Sequence, residues 1–74
     1  MELDIVFHAR ERMKQRGVSE HDIKATISKP DITRPGNKPG RKVYERDLGR
    51  IVCVVTVDNT NPIKIVSVWI KKDE

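Results

Sequence analysis

The chain has 74 residues, 36% of them hydrophobic and 35% charged, and a formal net charge of +4. That length predicts a single small domain, 1–74, and argues against several. One cysteine, Cys53, rules out an internal disulfide framework, and no stretch approaches the roughly 20 apolar residues of a membrane-spanning helix. A soluble, cytoplasmic protein without a membrane partner is expected.

Residues 8–16 contain strong helix formers with no breaker before Gly17, which predicts a first helix ended by that glycine. Its start has two readings: Asp4 as the cap, or Ile5, Val6 and Phe7 as an extended lead-in. Ser19 followed by Asp22 is a capping box, and Val18 with Ile23 fits a hydrophobic staple, so a second helix is predicted over 20–28. Ile23 and Ile27 face inward, and Lys29-Pro30 ends the helix.

Beyond residue 31 the hydrophobic period changes. Pro35-Gly36-Asn37-Lys38-Pro39-Gly40 reads as a mobile loop, preceded by a short strand at 32–34. Strands are predicted over 41–47, 50–57 and 63–71, with a tight turn at Leu48-Gly49, a turn cluster over 58–62 and a solvated tail at 72–74. Short connections favour antiparallel pairing. The expected fold is therefore α+β, with two N-terminal helices packed on a three- to four-stranded antiparallel sheet. Alternation places Val66, Val68 and Ile70 on one face of the last strand and Ile65, Ser67, Trp69 and Lys71 on the other. Ser67, Trp69 and Lys71 are assigned to a half-polar face away from the helices, and Lys42, Tyr44 and Arg46 share a face of their own strand.

Charge is concentrated in two segments, 8–16 at +3 and 29–50 at +4. Clustering of this kind points to RNA or another polyanion as partner. At about 100° per residue, His8, Arg12 and Arg16 lie within about 80° of one another, bordering the stripe of Ile5, Ala9 and Met13. Guanidinium groups at such a border are braced for phosphate recognition, and histidine titrates near neutrality. With Tyr44 on the sheet, these are the parts for metal-independent RNA cleavage: His8 and Tyr44 for proton transfer, and Arg12, Arg16, Lys42, Arg46 and Lys71 for phosphate.

Each residue also has a structural reading. Arg12 and Arg16 could pin helix-terminal or loop carbonyls, the His8 ring could be satisfied at a helix start, and Tyr44 and Trp69 could serve packing. Trp69 could equally stack a base. His21 falls in the first turn of the second helix and reads as solvent-facing. Cys53 sits among apolar residues with no activating base, so a nucleophile is not expected. Positions 8, 21 and 53 have no metal-ligand spacing, and residues 35–40 lack the pattern of a Walker loop, so neither metal nor cofactor is expected.

The run His8-Ala9-Arg10-Glu11-Arg12-Met13-Lys14-Gln15-Arg16-Gly17-Val18-Ser19 is followed by Asp22-Ile23, Pro30, Lys42-Val43-Tyr44, 51–55 and 65–68. Together these resemble the domain of unknown function 4258 family, marked by a His-Ala-x-x-Arg-Met-x-x-Arg-Gly-Ile/Val-Ser stretch. Val6-Phe7 stands where such sequences often carry a polar cap. The resemblance implies a RelE-like fold of the barnase–colicin class of ribonuclease toxins, with His8, Arg12, Arg16 and Tyr44 as the residues to suspect and an antitoxin protein as a candidate partner. Two other readings stand beside the toxin-type endoribonuclease. One is a noncatalytic nucleic-acid or protein-partner binding module using the basic loop over 38–42. The other is a toxin-like fold without activity, and exposed edge strands also make a homodimer a candidate state.

Overall fold

A computed structural model of the chain describes residues 1–71, so the expected tail at 72–74 lies outside the described residues. The elements follow as β1 (Leu3–Ile5), α1 (Phe7–Arg16), α2 (Glu20–Ser28), β2 (Ile32–Pro35), β3 (Arg41–Asp47), β4 (Ile51–Val57) and β5 (Ile63–Lys71). The strands form one five-stranded sheet in the order β1-β5-β4-β3-β2.

The sheet corrects the expectation of three or four purely antiparallel strands. β1 pairs parallel to β5, Leu3 opposite Ile63 and Ile5 opposite Ile65, so the sheet is mixed. The other three pairings are antiparallel. Three residues carry too little alternation to announce a strand, and the partner of β1 lies some sixty positions away, where short-connection reasoning does not reach. Of the lead-in expected over Ile5, Val6 and Phe7, only Ile5 lies in the strand, Phe7 is already the first residue of α1, and Asp4 does not cap the helix. The N-cap is Val6, which has no side-chain cap bond and instead donates its backbone N–H to the Ile65 carbonyl at 3.1 Å.

The helix boundaries follow local chemistry. Gly17, at φ 65°, ends α1 in the left-handed conformation that glycine adopts at low cost, and Val18 N–H donates back to the Met13 carbonyl at 2.9 Å. At α2, the Ser19 hydroxyl accepts from Asp22 N–H and the Asp22 carboxylate accepts from Ser19 N–H, each at 3.1 Å. α1 packs on β5, and α2 on β4 and β3. Ala9, Met13, Val18 and Ile23 meet Val52, Val54, Ile65 and Val68 in one core, with Ile5 joining from β1.

The face assignment along β5 needs one change. Val55 pairs with Ser67 but Thr56 pairs with Ile65, so Val66 is left over in a β-bulge. The extra residue shifts the phase of alternation, and Ile65 turns into the helix-covered core together with Val68. Ser67, Trp69 and Lys71 remain on the other face.

Arg50 ties the two helices to the sheet. Its guanidinium donates to the Arg16 carbonyl at 2.6 Å and to the Gly17 carbonyl, and it lies 4.0 Å from the Asp22 carboxylate. The carbonyl-pinning role read for Arg12 and Arg16 thus belongs to Arg50. Charged hydrogen bonds to carbonyls predict that Arg50→Ala lowers the unfolding free energy by about 1–2 kcal/mol in a urea titration. Arg12→Ala, at an exposed position, is expected to stay within about 0.5 kcal/mol of the parent.

Candidate functional site

The two sets of residues expected to cooperate in cleavage are not brought together. Arg10 lies 3.4 Å from Glu20 at the start of α2, so that flank of α1 faces α2. His8 and Arg12, each two residues and about 200° from Arg10, face away from it. His8, Arg12 and Arg16 are exposed, and among the described residues none of their side chains makes a hydrogen bond or ion pair. Tyr44 pairs with Val54 and so belongs to the helix-side face of β3, two strands from the β5 strand that carries α1.

Lys42 and Arg46 share that face with Tyr44. Lys42 and Tyr44 line a shallow groove with Thr56, Asn59 and Thr60, where the β4–β5 turn passes. Arg46 donates to the Ala25 carbonyl at 3.0 Å and thereby fastens α2 to β3. Lys71 lies on the opposite face of the sheet.

That opposite face carries no helix and holds the larger cleft, about 560 Å³ in volume. Val43 on β3, Val55 on β4 and the bulged Val66 on β5 make an apolar floor. Arg34, Lys38 and Arg41 form a cationic rim, Asn37 and Ser67 add uncharged polar groups, and Trp69 stands at the β5 side. Among the described residues, no carboxylate lines the cleft. Of the loop expected over 35–40, Pro35 belongs to β2, and the rest makes three backbone bonds: Gly36 N–H to the Arg41 carbonyl, Arg41 N–H to the Lys38 carbonyl and Asp58 N–H to the Gly40 carbonyl.

Beside the cleft sits Glu45, a charged residue only 2% exposed. Its carboxylate accepts from Arg34 Nε at 2.9 Å and from Lys71 Nζ at 3.4 Å. Burial by itself raises the carboxyl pKa, but the hydrogen bonds and charges of Arg34 and Lys71 together outweigh it, and the value falls below the ordinary 4.5. The neighbouring Cys53 thiol is fully buried, and burial followed by the Glu45 charge pushes its pKa up, which leaves it protonated and unreactive. Among the described residues, no three His, Cys, Asp or Glu side chains converge where a metal ion could sit.

Sequence reasoning singled out Trp69 and Lys71 but missed Glu45 and the pairing of Arg34 with it. One signal was available. Glu45 shares its alternation phase with Val43 and faces Cys53, so a carboxylate in an apolar row had to find cations.

An α+β domain with helices on one face and a cationic, tryptophan-walled cleft on the other is the class of protein that the fold and site define. The chain belongs to the family described as Domain of unknown function (DUF4258), whose sequence profile matches residues 5–70. No curated protein and no solved structure matches the chain. No helix among the described residues is long and apolar enough to cross a membrane.

Two outcomes follow from the site. Because the folded-state pKa of Glu45 is depressed, its stabilising contribution is fully present above the unfolded value near 4.5 and is lost as pH falls through the lower folded value. Glu45→Gln should therefore be less stable than the parent by about 1–3 kcal/mol at pH 7, with the gap closing on acidification below pH 4.5, as denaturant titrations across pH would register. At Gly36, an added Cβ would lie 2.5 Å from the Arg41 Cβ, so Gly36→Ala must displace the loop. The expected result is a shift of the amide resonances over 36–41, with those of α1 unmoved.

Proposed function

We propose that this domain binds single-stranded RNA on the open face of its sheet, as a noncatalytic nucleic-acid-binding module. The observation that carries this reading is the cleft, which combines an apolar floor, the indole of Trp69 and a rim of three cations with no carboxylate among the described residues that line it. A nucleotide has a flat apolar base and an anionic phosphate, and single-strand binders meet these with an aromatic platform and a positive groove. Ser67 and Asn37 offer partners for the 2′-hydroxyl that distinguishes RNA from DNA.

Cleavage of toxin type is the competing reading. It requires His8 and Tyr44 to act on one phosphodiester, and the separation of α1 from the helix-side face of β3 favours binding over cleavage.

Trp69 is the only tryptophan, so its fluorescence reports the cleft directly. Titration with hexauridylate at two salt concentrations is expected to quench the signal, with affinity falling as salt rises. Removing one phosphate-contacting cation, in Lys38→Ala or Arg41→Ala, should reduce the salt slope by about 0.7. Anisotropy of labelled RNA with Trp69→Ala should show a loss of about tenfold, the scale of one stacked base. The proposal fails if low-salt binding is absent, or is unchanged in all three variants. RNA incubated with the protein should stay intact. Cleavage that disappears in His8→Ala would replace the binding reading with the endoribonuclease one.

A further inference from the structure

The open face is divided by a bar of side chains. Cross-strand neighbours form successive rows on it: Arg34, Val43, Val55 and Ser67 in one, then Ile32, Glu45, Cys53 and Trp69, then Asp47, Ile51 and Lys71. Arg34 reaches from the first row to Glu45 in the second, and Lys71 reaches from the third row to the same carboxylate. The bar therefore runs from β2 to β5, with Trp69 in the Glu45 row at its β5 end.

The two sides of the bar differ in chemistry. On one side lies the cationic cleft. On the other is a small depression of mixed charge, where Asp31 and Asp47 stand beside Ile32 and Ile51, with Arg46 and the bar residues Glu45 and Lys71 completing the lining. Asp31 is held there, its carboxylate accepting from the Asp47 N–H at 2.9 Å. The two depressions have no lining residue in common. A phosphate chain leaving the cleft in that direction would have to climb over an ion-paired bar and then pass two carboxylates.

Resting on the RNA-binding reading, we infer that the cleft is a blind pocket for one or two nucleotides of single-stranded RNA, at a chain end or an extruded position, and not a groove for a strand passing through. The size agrees, since clefts of about 300–1,000 Å³ enclose one drug-sized ligand, and 560 Å³ falls in that range. A base stacks on Trp69 against the bar, whose Arg34 borders the cleft, and its phosphate meets Lys38 and Arg41 at the open end. Glu45 acts as a positioning residue, holding Arg34 and Lys71 without touching the ligand.

The test is the dependence of affinity on length. Oligouridylates of two, three, six and nine nucleotides are titrated against the whole chain at about 0.15 M salt, where long-range attraction is screened, with Trp69 fluorescence as readout. A blind pocket gives affinities within about threefold across the series, whereas a through-running groove gains tenfold or more as successive bases and phosphates engage. Lys71→Ala combined with Asp47→Asn opens the bar at its half-exposed end, removes a carboxylate beyond it and keeps the net charge while leaving Arg34 on Glu45, so it should make affinity climb with length. A tenfold rise in the parent overturns the inference, as does a flat profile in this double variant. Failure of the RNA-binding reading looks different: no oligonucleotide of any length quenches Trp69, even at low salt.

Discussion

A carboxylate in the middle of a sheet face that no helix covers is the constraint on which the open side of this molecule depends. Glu45 is buried by its own neighbours, and a buried charge is tolerated only when paired and hydrogen-bonded. Arg34 from β2 and Lys71 from β5 supply the pairing from opposite sides. The edge strand β2 is therefore held to the sheet by an ion pair as well as by its ladder with β3. The same interaction places a cation on the cleft rim and shapes the end of the cleft. Stability and recognition thus draw on one cluster.

The helix side obeys a different logic. There the core is apolar and continuous, and cations serve as fasteners: Arg50 holds the end of α1 and the start of α2, and Arg46 holds α2 to β3. The positive charge that first suggests a polyanion partner is consequently not one field. Part of it is spent on carbonyls, part on Glu45 and Glu20, and the remainder is scattered, with Lys38 and Arg41 at the cleft, Arg12 and Arg16 on the outer flank of α1 and Lys42 in the helix-side groove. Net charge alone overstates the surface available to a phosphate chain.

Local signals were legible. The capping box of Ser19 and Asp22, the Gly17 terminator and the alternation of 41–47 and of 67–71 each depend on residues within a few positions of one another, and both helices and four of the five strands lie close to where the sequence places them. The site was only partly legible. Trp69 and Lys71 on the half-polar face were readable from alternation, yet His8 and Tyr44 read as one constellation because a helix border and a strand face can be matched on paper in more than one way. Their placement depends on which flank of α1 meets α2, and that is fixed by packing, not by spacing.

By itself, then, the amino-acid order determined where α1 ends, where α2 begins and ends, where β2 to β5 lie, that the protein is α+β, and that one sheet face would be half polar. Those are consequences of short-range hydrogen bonding and of hydrophobic period. Tertiary structure alone decided that β1 closes the sheet in parallel with β5, that a bulge at Val66 turns Ile65 inward, and that Arg34 and Lys71 converge on Glu45. Each of these joins residues far apart in the chain, where the energy of contact depends on the packed geometry and leaves no local pattern to read.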